Sequence, residues 1–296
     1  MKEGCCCSGI RFCDRCISSD RAQAIIHQSV DLTKASDVVS QQYGSERTSS
    51  CSFAVVGPSL YSFCWECSSV FQMHGRVVRS CADHVELSSV TNLSLAGLFV
   101  APDFLSLLEE EKLVMFFDNP SSFPGWKPSQ SGRRKQDFGP RANFKKRKLR
   151  VPGTPWMPQQ LKDVLGKVSS FVTQQSGKPF CIVEASVLEY TSENSSSIDP
   201  HIDDTWLWGD RIGGLNLLED AVMTFVHGNG TAVDVFIPRG AFFLLSKDSR
   251  FIWMHGIRQE NIRNRRISIT VRELAEDLEV DAELLKTIME NASSFV

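Results

Sequence analysis

The chain has 296 residues, 42% hydrophobic and 23% charged, with 32 Lys and Arg against 35 Asp and Glu for a net charge of −3. That is an ordinary globular composition, and the length suits one large domain or one domain with a small appendage. The opening Met1-Lys2-Glu3-Gly4-Cys5 lacks an apolar stretch of signal-peptide type, and the most apolar run, Leu93 to Leu108, is broken by Pro102 and Asp103. These features argue against a secretory leader or a membrane span and predict a cytoplasmic and nuclear protein.

Residues 1–16 hold Cys5, Cys6, Cys7, Cys13 and Cys16. In a reducing compartment cysteines at such spacing are thiols or metal ligands, and Cys5, Cys7, Cys13 and Cys16 could supply four thiolates to one structural Zn(II). A thiol-rich tail is the other reading. Residues 17–90 read as a linker or poorly matched N-terminal region, because positions 17–50 are rich in Ser, Gln and Asp. Within it Cys64-x2-Cys67 and Cys81-x2-His84 also have ligand-like spacing, but Phe63, Trp65 and Phe71 around them look like strand core.

Residues 91–173 read as a helical and basic recognition region. The spacing predicts a helix over 103–117, with Leu105, Leu108, Leu113 and Phe116 on one face, and a second from Pro158 to Thr173 with Leu161, Val164, Leu165 and Val168 as its stripe. Between them, residues 129–150 carry nine Lys and Arg against Asp137 alone. Such a segment suits a polyanion, an acidic protein surface or a nuclear-import receptor. From 174 to 275 short strands dominate: Cys181 to Tyr190, Gly214 to Leu218, Val222 to His227, Val233 to Ile237, Ala241 to Leu245 and Ile267 to Val271. Turn signals at Gly228-Asn229-Gly230 and Pro238-Arg239-Gly240 separate them, which predicts a mainly β sandwich or barrel with flanking helices. Residues 276–296 end in an amphipathic helix through Leu284, Leu285 and Ile288.

The chemistry lies in the strand-rich region. In an extended strand, residues two apart share a face, so Asp199-Pro200-His201-Ile202-Asp203 can present an imidazole and a carboxylate together. With His255 they make a two-histidine, one-carboxylate set, the ligand class of non-haem Fe(II), which leaves open positions for a bidentate ligand and dioxygen. The segment Arg266-Ile267-Ser268-Ile269-Thr270-Val271-Arg272 alternates, placing Arg266 and Arg272 on one face. Two guanidiniums on one face call for anions, and a dicarboxylate such as 2-oxoglutarate fits them.

Three segments carry a family resemblance: 129–140, Ser-Gln-Ser-Gly-Arg-Arg-Lys-Gln-Asp-Phe-Gly-Pro; 199–209, including Trp206-Leu207-Trp208-Gly209; and 266–274. With these the chain resembles the AlkB family of Fe(II)/2-oxoglutarate-dependent dioxygenases, most closely the subfamily of the fourth AlkB homologue, over roughly residues 95 to 275 plus the cysteine-rich start. The resemblance implies a double-stranded β-helix core of jelly-roll type. It also implies iron on His201, Asp203 and His255, the distal carboxylate of 2-oxoglutarate on Arg266, and Arg272 near its other end or the substrate. Tyr190 stands where the family has a tyrosine beside the co-substrate, whereas the asparagine often found just before it is replaced by Val187, Leu188 and Glu189.

The resemblance further implies oxidative N-demethylation, of methyl-lysine in an actin-type protein first and of N6-methyladenine in DNA second. The alternative is a zinc-stabilised, non-catalytic adaptor that binds nucleic acid or an acidic partner through its basic segment. Trp206 and Trp208 could line a substrate mouth or fill core.

Overall fold

The computed structural model describes residues 50–54, 56–73, 76–143, 147–151 and 156–296. In chain order, β1 (Tyr61–Cys64) and β2 (Ser69–Gln72) form a hairpin, followed by a 3-10 turn at Cys81–His84, β3 (Phe99–Ala101), α1 (Leu107–Asp118), β4 (Lys127–Pro128) and β5 (Arg134–Phe138). Next are β6 (Arg141–Asn143), β7 (Lys148–Arg150), α2 (Lys162–Ser176), β8 (Glu184–Thr191), β9 (Ile198–His201) and β10 (Trp208–Leu217). The chain continues through β11 (Ala221–Val226), β12 (Ala232–Ile237), β13 (Phe242–Leu245), α3 (Lys247–Phe251), β14 (Met254–Ile257), β15 (Arg265–Leu274) and α4 (Ala282–Ser293). Among the described residues no helix is long and apolar enough to cross a membrane.

Two sheets carry the architecture. One runs β2-β1-β12-β11-β14-β9 and the other β3-β13-β10-β15-β8-β5-β4, while β6 and β7 pair separately. Neighbours are antiparallel except β1, which lies parallel to β12. The result is the two-layer jelly roll that the alternating strands predict. Its sheets draw on residues well before 174, because β1, β2, β3 and β5 all join them.

Period-two alternation on β15 separates the two faces of the second sheet. Ile267, Ile269 and Val271 pack outwards with Leu113 and Phe117 of α1 and Val164, Val168 and Val172 of α2. The opposite face turns to the sandwich interior, where Phe225, Val233, Val235, Phe243 and Tyr190 are buried together. Arg266 and Arg272 project into that interior side, where each guanidinium needs hydrogen-bond acceptors in place of water.

Three sequence expectations differ from the structure. First, α1 turns Glu110, Leu113 and Phe117 inwards, and Leu108 stays 60% exposed. The cause is Glu110, whose carboxylate accepts from the Leu218 amide at 2.6 Å and from Arg239 Nε at 2.8 Å, so an acidic side chain belongs on the inner face. Secondly, the described part of the region read as a linker or poorly matched N-terminal region is ordered, and β1 and β2 lie at a sheet edge with Phe63 and Phe71 buried, as their strand-core reading expects. Residues 50–53 also run beside β9, with Cys51 N donating to Pro200 O at 3.1 Å and Phe53 N to Asp199 Oδ1 at 2.9 Å. Main-chain hydrogen bonding, which composition does not record, orders this stretch. Thirdly, the strand carrying His201 stops there, and Asp203 lies in the connection that follows.

Candidate active site

His201 ends β9 and His255 lies directly opposite it on β14. Close strand approach is possible because Gly256 has no side chain: a Cβ there would stand 2.5 Å from Ile198 O and 2.8 Å from Pro200 N. The two imidazole rings are 4.6 Å apart. Each Nε2 lies 3.9 Å from one oxygen of Asp203. All three donor atoms fall within 4.8 Å of one another, close enough to share one cation.

The donor chemistry fits a divalent iron. His201 Nδ1 is 2.9 Å from the Asp199 carbonyl oxygen. A carbonyl can only accept, so Nδ1 carries the proton and Nε2 keeps its lone pair for a metal. Burial alone would raise the Asp203 carboxyl, but Arg272, with help from His201, His255 and Arg250, holds it well below the usual carboxylate range. It is therefore ionised and available as a ligand.

Two arginines hold Asp203 in place. Arg272 Nη2 donates to Asp203 Oδ1 at 3.1 Å while its Nη1 donates to Glu184 at 2.6 Å. Arg250, fully buried, donates to the carbonyls of Asp203 (2.9 Å), Trp208 (3.1 Å) and Gly209 (3.2 Å). A guanidinium has five donors in a rigid fork, so one side chain ties down the whole 203–209 connection.

Arg266 is placed differently. It is 1% exposed, and among the described residues no carboxylate forms a direct ion pair with it, although Glu219 is near enough to favour its charge. Its Nε donates to Asn216 Oδ1 at 2.7 Å, and its guanidinium lies 5.0 Å from the centre of the Tyr190 ring, directly across the β15–β8 ladder. Asn216 is fixed in turn by donating to the carbonyls of Glu219, Ile237 and Pro238. A buried cation with no carboxylate in direct contact suits an anionic ligand, since an unpaired charge is expensive to bury. This is the environment a ligand carboxylate would complete.

The structure thus gathers the donor atoms of His201, Asp203 and His255, sets Arg266 beside Tyr190 on the interior face of the second sheet, and joins Arg272 to Asp203. Nη1 and Nη2 of Arg272 are engaged by Glu184 and Asp203, so it supports a ligand residue, while its buried Nε has no hydrogen-bond partner among the described residues. Glu189, which stands in place of the family's asparagine, faces away and pairs with Arg134 and Arg265. Trp206 and Trp208 do not share one strand: Trp206 lies in the turn and Trp208 begins β10, 5% exposed and packed with Leu207 and Ile288. Cys5, Cys7, Cys13 and Cys16 lie outside the described residues. A surface cavity of about 480 Å³, bordered by Arg76, Arg79, Arg263, Asp220 and Glu260, does not include the triad, and its mixed charges contribute none of the chemistry above.

Sequence reasoning missed Arg250, Asn216 and Glu184. Asn216 left a signal, being a lone polar residue in the apolar run Leu215-Asn216-Leu217, and buried polar groups exist to make hydrogen bonds. Arg250 left none, because a five-residue helix has no periodicity to read.

The basic segment divides in two. Arg133 is buried, whereas Arg134, paired with Glu189, and Lys135, paired with Asp137, remain partly exposed. By contrast Arg141, Arg147, Lys148 and Arg150 are exposed on the β6–β7 hairpin. The hairpin's inner residues Ala142 and Leu149 pack on the cluster containing Leu207 and Trp208. Arg147 lies 6.0 Å from the centre of the Trp206 ring, three residues beyond Asp203.

No protein-family model matches the chain. It is 35% identical over 201 residues to a "DNA N6-methyl adenine demethylase" of Caenorhabditis elegans, covering 67% of each chain. It is 32% identical over 210 residues to "Alpha-ketoglutarate-dependent dioxygenase alkB homolog 4" of Homo sapiens, covering 60% of this chain and 67% of that one. Among solved structures, that of OsALKBH1 aligns with a TM-score of 0.43 at 16% identity, over 60% of this chain and 96% of the other.

Proposed function

The chain belongs to the AlkB family of Fe(II)/2-oxoglutarate-dependent dioxygenases, and from that premise we propose that it is an oxidative N-demethylase of a methylated nucleobase, with N6-methyladenine in DNA as its substrate. The observation that carries the choice of substrate is the exposed basic hairpin, Arg147, Lys148 and Arg150, seated on the Trp206-Leu207-Trp208 segment immediately after Asp203. Exposed cations beside an aromatic ring suit a phosphate backbone that delivers an unstacked base. The C. elegans relative's name points the same way. The sequence expectation put methyl-lysine first; the hairpin reverses that order. The non-catalytic adaptor reading gives way to the family membership.

In this reading His201, Asp203 and His255 hold the iron and Arg266 holds the distal carboxylate of 2-oxoglutarate. Together iron, 2-oxoglutarate and dioxygen supply a C–H hydroxylation, with succinate and carbon dioxide as co-products, and a hydroxylated N-methyl group loses formaldehyde. The protein's own contribution is positional. Asp199 O fixes the tautomer of His201, Arg272 and Arg250 fix Asp203, and Asn216 with Tyr190 fixes Arg266. Burial of these groups keeps bulk water from the reacting carbon. A base paired in a duplex has to leave its stack to reach the site, so single-stranded or mismatched DNA is the better substrate.

The test is a side-by-side assay of succinate and formaldehyde with an N6-methyladenine oligonucleotide and a methyl-lysine peptide of acidic sequence. Formaldehyde in equal amount to succinate, with the oligonucleotide and not the peptide, is the expected result. Coupled turnover with the peptide alone would overturn the nucleobase reading while leaving the dioxygenase assignment intact.

A further inference from the structure

At the far edge of the first sheet, four strands from β14 and five from β9, a second set of metal-type donors comes together. Cys64 ends β1, Cys67 lies in the turn to β2, and Cys81 and His84 begin and end the 3-10 turn. Residues three apart eclipse each other on a 3-10 turn, so Cys81 and His84 point the same way. The turn at Ser68, with φ of 54°, brings Cys67 round to meet them.

The distances are those of a tetrahedral site. With zinc–sulfur bonds of about 2.3 Å and zinc–nitrogen bonds of about 2.05 Å, tetrahedral edges are about 3.8 Å between sulfurs and about 3.5 Å between sulfur and nitrogen. Cys64 Sγ lies 3.8 Å from Cys81 Sγ, and Cys67 Sγ lies 3.7 Å from His84 Nε2. All four donor atoms are within 4.8 Å of one another. The His84 ring is held flat against Phe71, centroids 3.8 Å apart, and the Cys81 amide donates to Glu66 at 2.6 Å. The donors are therefore arranged by their own second layer of contacts.

The surrounding packing needs such an anchor. Cys64, Phe71 and Val78 form a small buried cluster with only Met73 and Cys81 packed against it, while Val85 and Leu87 are 81% and 43% exposed. Beyond these few apolar contacts the loop is tied to the hairpin by the Val78 amide on Ser62 Oγ and the Val90 amide on the Val70 carbonyl, and a metal bound only by the folded form would add its binding energy to folding. Three sulfurs and one imidazole select zinc, and with all four positions filled by protein the ion is structural.

We propose that Cys64, Cys67, Cys81 and His84 hold a structural zinc ion that staples the 76–90 loop to the β1–β2 hairpin. This site is separate from the candidate iron centre and does not depend on the substrate assignment.

The test uses the full chain carrying Cys13→Ser, Cys16→Ser and His201→Ala, which weakens the other two metal sets. This background is reduced, loaded with zinc chloride, dialysed and analysed for metal, and a parallel sample is loaded with cobalt(II). The proposal expects about one zinc per chain, thiolate-to-cobalt charge-transfer absorption, and protection of amides in 61–90 that is lost on chelation. Adding Cys67→Ser, an exposed position where misfolding through lost packing is not expected, removes the metal and the absorption. Cys67→His restores a donor and recovers zinc. No zinc in the reduced background, or the same zinc content with and without Cys67→Ser, would overturn the site.

Discussion

Arg272 and Asp203 are joined by a 3.1 Å hydrogen bond between two buried side chains, and Arg272 is shared with Glu184 on the opposite side. Glu184 lies directly across the β15–β8 ladder from Arg272, so one cross-strand pair at the end of the sheet sets the orientation of a candidate iron ligand in the other layer. The arginine thereby couples the frame to the candidate metal site.

Arg272→Ala therefore lowers iron affinity by roughly 10- to 100-fold, the usual effect of losing a partner that orients a ligand. The single variant also leaves Glu184 buried and unpaired, which destabilises the fold by about 3–5 kcal/mol. Arg272→Ala with Glu184→Gln separates the two effects: thermal stability returns and iron affinity does not. Isothermal titration with Fe(II) under anaerobic conditions measures the second; full recovery of iron affinity in the double variant would remove the orienting role.

Arg266→Ala raises the 2-oxoglutarate requirement steeply, because truncating one partner of a buried charge pair costs roughly 2–5 kcal/mol. Arg266→Lys recovers part of it, a point charge being a poor substitute for the planar fork. Asn216→Ala leaves Arg266 charged but loosely aimed, so its effect falls between the two. Co-substrate titrations of succinate formation read all three. An unchanged requirement in Arg266→Ala would assign the distal carboxylate to another residue.

How much of this was legible in the sequence follows from the range of each interaction. Alternation along β15 is a property of adjacent residues, so the opposed faces of Ile267 and Arg266 could be read directly, and the stripe of α2 likewise. The three metal-type donors were legible because His201 and Asp203 are neighbours and His255 sits in a return strand. What could not be read were partnerships across the fold: Glu110 with Arg239, Arg250 with the 203–209 carbonyls, and the Cys51 amide with Pro200. Each joins segments far apart in the chain, and each changes a local expectation. The helix face of α1 is the clearest case, since apolar periodicity favoured Leu108 and a distant arginine favoured Glu110.

That case is testable by itself. Glu110→Ala orphans the Leu218 amide and leaves Arg239 without its carboxylate, so it lowers stability by about 1–3 kcal/mol. Denaturant unfolding measures the loss. Because α1 packs on the outer face of the second sheet, the 2-oxoglutarate requirement of the folded fraction stays at its wild-type value. A shift in that requirement comparable with Arg266→Ala would mean that the outer helix and the interior site are coupled.

The basic hairpin decides between substrate classes. Arg147, Lys148 and Arg150 are exposed, so converting all three to alanine leaves the fold near its original stability, within the half kcal/mol typical of surface changes. If each contacts a phosphate, the slope of log affinity against log salt for a methylated single-stranded oligonucleotide falls by about 0.7 per lost contact. Arg147→Ala alone removes the cation held over the Trp206 ring as well as a backbone contact, so the oligonucleotide's KM rises more than in Lys148→Ala. Trp206→Phe keeps the charge and reduces the ring area, which separates stacking from charge. A slope unaltered in the triple variant would show that the hairpin does not track a nucleic-acid backbone, and turnover on an acidic methyl-lysine peptide that falls in the same variant would move the substrate to protein.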